Sequence, residues 1–222
     1  DLVVTGVQTC ALPILMTAVP RLYEALHDRI QRGVQQSGGL KKYLFDLTLK
    51  LGRKDRVEKK PLSLTGKLSN MLVDQTVRAK VSQRFGGRLK AFVSGGAALN
   101  PDIGNFFLSL GVNILQGYGQ TEASPIISCN RPGNIRIETV GPALKDVEIK
   151  IAEDGEILVR GELVMKGYWK DPIATKAAIK DGWLHTGDVG VLEEDGSLRI
   201  TDRKKDIVRS EERRVGKECR SR

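Results

Sequence analysis

The sequence is poor in the residues that announce a metal centre or a disulfide scaffold. Its 222 residues hold three cysteines, Cys10, Cys129 and Cys219, and two histidines, His27 and His185. The cysteines lie far apart with no C-x-x-C spacing, which speaks against a disulfide framework and against a zinc site. Two histidines cannot build a histidine metal site by themselves. A reducing, cytoplasmic setting is therefore the default. Aromatic residues amount to 5%. No apolar run reaches the roughly 18 residues of a membrane span. "CALPILMTAVP" near the start is too short, and the segment ahead of it carries Asp1 and no Lys or Arg, so it does not read as a signal peptide.

What is present is enough for one large domain or two small ones. Hydrophobic residues make up 40% and charged residues 28%, a balance that supports a packed core. The formal charge of +9 first suggests nucleic acid or an anionic surface. Lys50, Arg53, Lys54, Arg56, Lys59 and Lys60 form the densest interior cluster. Tyr43 and Phe45 lie ahead of that cluster and not within it, so the aromatic interleaving of a nucleic-acid binder is missing. Nucleic acid is not expected as a partner, and a solvated helix end is the simpler reading. Residues 40–51 are amphipathic, which makes peripheral contact at the inner face of a membrane a second expectation.

The two ends stand apart from the interior. "DLVVTGVQTCALPI" (1–14) and "RSEERRVGKECRSR" (209–222) resemble the conceptual translations of a pair of sequencing-library adapters. Both segments are read as adapter-derived and set aside from fold reasoning. The Asp1 start, without an initiator Met, agrees with a truncated frame.

Within the interior, Leu22, Leu26, Ile30 and Val34 repeat at helical spacing, and residues 15–36 are expected to be one helix. Gly38-Gly39 breaks the chain. Leu40, Tyr43, Leu44, Leu47 and Leu51 predict a second helix, and Leu72 to Val81 a third. "LKAFVSGGAAL" reads as a strand ending in a Gly-Gly turn. In "NPDIGNFFLSLGV", Asn100 is a plausible cap with Pro101 in the first turn of a helix. "VNILQGYG" is the next strand, and strand, helix, strand implies a parallel pair with a crossover. The pattern then changes. "VEIKIAEDGEILVRG" alternates on both sides of Asp154-Gly155, and "VGVLEEDGSLRITD" does so around Asp195-Gly196, predicting two hairpins. The expected class is α/β, a parallel α/β layer followed by antiparallel β-hairpins.

Glycine-marked polar sites occur in order: "SGGAAL" (94–99), "GYGQTE" (117–122) and "HTGD" (185–188), followed by "TDRKKD" (201–206). Each alone has a plain structural reading. Gly95-Gly96 serves equally as a tight turn, Tyr118 as core, and Glu122 as a carboxylate at a helix N-terminus. Asp188 serves as a turn cap, and Arg203 to Lys205 as a solvated face. Together they suggest a nucleotide site. Glycines let backbone approach a base or phosphate, Tyr118 offers a stacking face and Thr121 a hydroxyl. Glu122 can hold Mg²⁺. Asp188 can accept both ribose hydroxyls, while Arg203 adds charge-assisted donors. "GYGQTE" also fails as a dinucleotide fingerprint, because Glu122 stands where G-x-G-x-x-G requires its third glycine.

The stretches "SGGAAL", "GYGQTEAS", "VGPAL", "GEILVRGELVMKGYW", "DGWLHTGDVG" and "ITDRKKDIV" resemble, in order, those of the AMP-forming acyl-CoA synthetases of the adenylate-forming superfamily. "VPRLYE" and "DGWLHTGD" followed by "DRKKDIV" look most like the long-chain fatty acid branch. The resemblance covers 15–208 and implies that 15–202 is the C-terminal part of the adenylation domain, itself an incomplete piece of the large N-terminal domain. It places a hinge to a further domain at 203–208. It also implies the reaction: ATP converts a fatty acid to acyl-AMP with Mg²⁺, and coenzyme A takes the acyl group as a thioester. By resemblance, Gly95, Gly96 and Ala97 line the adenine pocket and Tyr118 stacks on adenine. Gly117 to Gly119 border the acyl channel. Thr121 contacts phosphate, Glu122 the Mg²⁺, and Asp188 and Arg203 hold the ribose. Lys205 is the hinge residue. Medium-chain and aryl-acid ligases and fatty acyl-AMP ligases are the rivals within the superfamily. The family's phosphate loop and its catalytic-lysine domain are not found, so the chain alone is expected not to make acyl-CoA.

Overall fold

The computed structural model describes residues 13–204, which fall into two compact units meeting between Leu115 and Gln116. The segments 1–12 and 205–222, most of the adapter-like ends and Lys205 among them, lie outside the described residues.

The first unit opens on a strand where a helix is expected. Leu15–Ala18 forms β1, paired in parallel with β2, Ala91–Ser94, in the register Leu15↔Ala91 to Ala18↔Ser94. The physical reason is Pro20. It forces the extended conformation seen at Val19 (ψ 156°) and starts helix α1, Pro20–Ser37, at its own position. Gly38, at φ 56°, ends α1, and α2 follows at Gly39–Gly52. The helix expected from Leu72 begins earlier. α3 spans Leu64–Val73, capped by the Ser63 hydroxyl accepting from Gly66 N–H, and runs through a π-helical turn at Asp74–Arg78 into α4, Ala79–Arg84. Leu64 and Leu68 stand in four-residue spacing with Leu72, a helical pattern that reaches back to Ser63, and both are exposed.

The core of this unit is aromatic despite the low aromatic content. Tyr23 of α1 meets Phe92 of β2 edge-on at 5.6 Å and Phe107 at 6.0 Å. α5, Pro101–Ser109, has the expected cap, with Asn100 Oδ1 accepting from Asp102 N–H at 2.8 Å. His27 packs edge-on against Phe106 at 4.6 Å, a structural role. Phe45 and Thr48 of α2 are buried in the same unit, so part of the amphipathic face of 40–51 serves this core. No helix among the described residues is long and apolar enough to cross a membrane. Phe92 N–H donates to Asn113 C=O, which brings the chain alongside β2 before β3, Ile114–Tyr118.

The second unit is antiparallel. Gly117 and Tyr118 at the end of β3 pair with β4, Ser128–Cys129. β5, Glu148–Ile151, and β6, Glu156–Arg160, form the hairpin expected around Asp154-Gly155. α6, Pro172–Ala178, capped by Asp171, leads into β7, Ile179–Lys180. β8, Trp183–Leu192, pairs with β6, β7 and β9, and β9, Leu198–Arg203, closes the second expected hairpin at Asp195-Gly196. Tyr118, Ala123, Ile127, Ile157, Val159, Leu184 and Leu198 make the core of this unit.

Candidate nucleotide site

Tyr118, Asp188 and Arg203 are brought together inside the second unit by strand pairing. Asp188 faces Arg203 across β8 and β9. Its Oδ1 lies 3.4 Å from Arg203 Nε, and its Oδ2 accepts from the Tyr118 hydroxyl at 2.7 Å. The Asp188 side chain is 14% exposed and that of Arg203 71%, so the carboxylate is held from within while the guanidinium reaches solvent. Burial, with the Asp188 carboxylate adding to it, pushes the Tyr118 phenol well up, and the hydroxyl remains a donor. The Tyr118 ring belongs to the core and is 8% exposed. The ring expected to stack on a base is packed in the core, and the group that Tyr118 turns to the site is its hydroxyl on Asp188.

Thr121 and Glu122 sit on a single 3₁₀ turn, Thr121–Ala123, Thr121 exposed and Glu122 half-buried. The segment 165–168 holds Glu122 twice. Met165 N–H donates to its backbone carbonyl at 2.8 Å, and the Tyr168 hydroxyl donates to Oε1 at 2.9 Å. That carboxylate pushes the Tyr168 phenol up. No group of three or more His, Cys, Asp or Glu among the described residues forms a metal cage. A lone carboxylate does fit the manner in which Mg²⁺ is commonly held, by one or two carboxylates together with substrate phosphates. Gly117 is within β3, and Gly119 follows where the Pro125–Ile126 backbone passes close by. Gly95, Gly96 and Ala97 follow β2 in the first unit, with Gly96 at φ 82°.

Two features of the site went unrecognised in the sequence: Tyr168, and a carboxylate hub at Glu156. The Glu156 carboxylate, at a residue 5% exposed, accepts from Gly187 N–H at 2.9 Å and Lys204 Nζ at 3.0 Å, and lies 3.0 Å from His185 Nδ1. Lys204 also binds Asp154 Oδ2 at 2.6 Å. Glu156 follows the Asp154-Gly155 turn in an alternating strand, and nothing in the sequence separates it from an ordinary strand carboxylate. Cys129 is half-buried and burial pushes its thiol up, as befits an inert structural cysteine.

The family model described as AMP-binding enzyme matches residues 13–169. The chain belongs to the AMP-binding enzyme family. The chain is 33% identical over 196 residues to long-chain-fatty-acid–CoA ligase FadD15 of Mycobacterium bovis, a match covering 88% of the chain and 33% of that protein. It is 36% identical over 213 residues to the peroxisomal long chain acyl-CoA synthetase 6 of Arabidopsis thaliana, covering 89% and 29%. Among solved structures, the anthranilate CoA ligase AuaEII in complex with anthranoyl-AMP shares the fold, with a TM-score of 0.57 at 22% identity over 87% of the chain and 30% of the other. The chain thus spans about a third of the length of these relatives, and its mixed parallel and antiparallel architecture matches part of the N-terminal domain in the solved structures.

The hub makes the second unit sensitive to acid. Burial opposes ionisation of Glu156, but His185, Lys204 and the Gly187 amide outweigh it and hold the carboxyl below its usual range. Lys204 and the Glu156 amide depress Asp154 in the same direction. A depressed carboxylate stabilises the fold above its ordinary range, and that stabilisation is lost as pH falls through the folded value. The melting temperature is expected to fall between about pH 5 and pH 3, and Glu156→Gln is expected to flatten that fall; thermal melts across the range provide the check.

Proposed function

We propose that this chain carries the adenylate-binding portion of a long-chain fatty acid–CoA ligase, an enzyme that activates its fatty acid with ATP as acyl-AMP and passes the acyl group to coenzyme A. The observation that carries the reading is the Asp188 carboxylate, held by Tyr118 and faced by Arg203 in a chain that matches the AMP-binding family. A carboxylate fixed by a phenol on one oxygen has lone pairs left for vicinal hydroxyls, the chemistry a ribose presents. Arg203, exposed, adds charge-assisted donors. Thr121 offers its hydroxyl to phosphate. Glu122 would hold Mg²⁺ jointly with phosphate oxygens, where the ion supplies neutralisation of phosphate charge. Gly117 and Gly119 keep the backbone slim where the acyl group would leave the phosphate. The long-chain assignment is supported by the names of the relatives at 33% and 36% identity. Residues 203–208 with Lys205 would form the hinge, residues 15–202 the adenylation portion, and 1–14 and 209–222 adapter-derived ends.

Equilibrium dialysis of the 222-residue chain against radiolabelled AMP tests the reading. Saturable binding is expected, with affinity falling at least tenfold in Asp188→Asn, in line with the roughly 1.5–3 kcal/mol of a hydrogen bond to a charged group. A folded chain that shows no saturable AMP binding overturns it. The chain alone, about a third of its relatives' length, is expected to release no acyl-CoA from fatty acid, ATP and coenzyme A.

A further inference from the structure

We infer that Glu156 is the positioning residue of this site: its buried carboxylate templates a bulge in β8 that aims Asp188, and through Lys204 it anchors the strand end that bears Arg203. The inference rests on the nucleotide reading for its consequence, but not for its geometry.

The register between β6 and β8 passes from Glu156↔Val189 to Leu158↔His185. Opposite the single residue Ile157, β8 therefore carries Thr186, Gly187 and Asp188. That is a bulge, and Gly187 takes the left-handed φ of 73° that such a turn requires. A bulge strips backbone groups of their ladder partners, and other groups must take them. Here the Glu156 carboxylate accepts from Gly187 N–H at 2.9 Å, and the Thr186 hydroxyl donates to Ile157 C=O at 2.7 Å and lies 3.2 Å from Asp188 N–H, from which it accepts. Asp188 is the last residue of the bulge, and its side chain leaves toward Tyr118.

The other Glu156 oxygen meets His185 Nδ1 and Lys204 Nζ, both at 3.0 Å. One carboxylate thus grips the residue immediately before Asp188 and the residue immediately after Arg203. The two side chains assigned to the ribose are fixed from their neighbours by the same buried group. A carboxylate suits this hub because both oxygens accept. Glutamine offers one acceptor and one NH₂ donor, so it leaves Gly187 N–H or Lys204 facing a donor. Both Glu156 oxygens point into the bulge and the strand end, which makes its role positional and not catalytic.

The test uses the 222-residue chain, labelled with ¹⁵N and observed without nucleotide and then with AMP. In the parent, the Gly187 amide is expected to exchange with solvent at least a hundredfold more slowly than an unstructured amide. Exchange at the unstructured rate overturns the inference with no variant needed. In Glu156→Gln the Gly187 amide proton is expected to lose its downfield position and protection, and AMP affinity to fall at least tenfold. Glu156→Asp, which keeps both acceptors on a shorter arm, should recover part of each. AMP affinity within twofold of the parent in Glu156→Gln overturns the inference. If Glu156→Gln fails to fold, the parent's exchange rate and the Glu156→Asp affinity decide alone. A parent with a protected Gly187 amide but no AMP binding defeats the nucleotide reading and leaves the aiming of Asp188 intact, which the Gly187 and Asp188 amide signals of the Glu156 variants then report.

Discussion

Replacing Arg78 by alanine is expected to cost about 3 kcal/mol of stability, the largest effect of any single polar substitution in the first unit. Arg78 is 6% exposed at the end of the π-helical turn. Its Nε donates to Ser109 C=O at 3.1 Å, its Nη1 to Asn70 Oδ1 at 2.8 Å and Asp74 Oδ1 at 2.6 Å, and its Nη2 to Thr48 C=O at 3.5 Å. One guanidinium therefore ties α2, α3 and α5 together. Truncation strands the Ser109 carbonyl in the interior and removes the stem that packs beneath Gly111, where the Arg78 Cδ comes within 3.2 Å of a notional Cβ. Asp74 is 43% exposed and returns to water at little cost, so the ion pair itself contributes the smaller share. Arg78→Met keeps the stem and is expected to lose about half as much. Urea denaturation decides: a lower midpoint at unchanged slope is the expected signature. An Arg78→Ala chain within about 0.5 kcal/mol of the parent refutes the account of this hub.

The strong local signals in the sequence were those with a short-range physical cause. Alternation on both sides of Asp154-Gly155 and Asp195-Gly196 fixed two hairpins, and Asn100-Pro101 fixed the start of α5, because turn and cap chemistry act within a few residues. β1 reads as the start of a helix because a four-residue strand has too little pattern of its own. It exists through pairing with β2, more than seventy residues away, and only Pro20 hinted at the break. The start of α3 lies further back than Leu72, along a Leu64, Leu68, Leu72 spacing that is itself helical but is interrupted by the weak helix formers Gly66, Ser69 and Asn70.

The candidate site was legible to the same extent. Tyr118, Asp188 and Arg203 were named from motif content, and the structure brings them into contact through β8 and β9. What motif content could not give was the support behind them. Glu156 stands in an alternating strand, and only the register shift between β6 and β8 makes it face a bulge and not a ladder. Tyr168 lies 46 residues from its partner Glu122, with no local pattern joining them. Supporting groups are set by tertiary register, which a single sequence does not display.

Gly119→Ala is expected to disrupt the second unit at the candidate site, at a cost of about 3 kcal/mol, the upper end of overpacking penalties. After Gly119 the chain makes its 3₁₀ turn and returns, so that Ile127 N–H donates back to Tyr118 C=O at 2.8 Å. The returning backbone crosses directly over Gly119. A methyl there would overlap the Pro125 carbonyl oxygen and lie 2.7 Å from its carbon and 2.8 Å from Ile126 Cα. These are backbone atoms, which cannot rotate aside as a side-chain tip would. Relief must come from shifting residues 120–126, which carry Thr121 and Glu122, or from pulling Ile127, fully buried beside Tyr118, from the core. Either movement also loosens the Tyr118 hydroxyl from Asp188, so AMP affinity is expected to fall together with stability. Gly96→Ala supplies the contrast. Gly96 has φ 82° with nothing within 4 Å of a notional Cβ, so the added methyl meets only backbone strain of about 1–2 kcal/mol. Denaturation of the two variants side by side separates the causes. Equal losses would mean that the Pro125 crossing does not constrain Gly119, whereas a larger loss in Gly119→Ala, accompanied by weakened AMP binding, identifies this glycine as the space through which the site-bearing loop is folded.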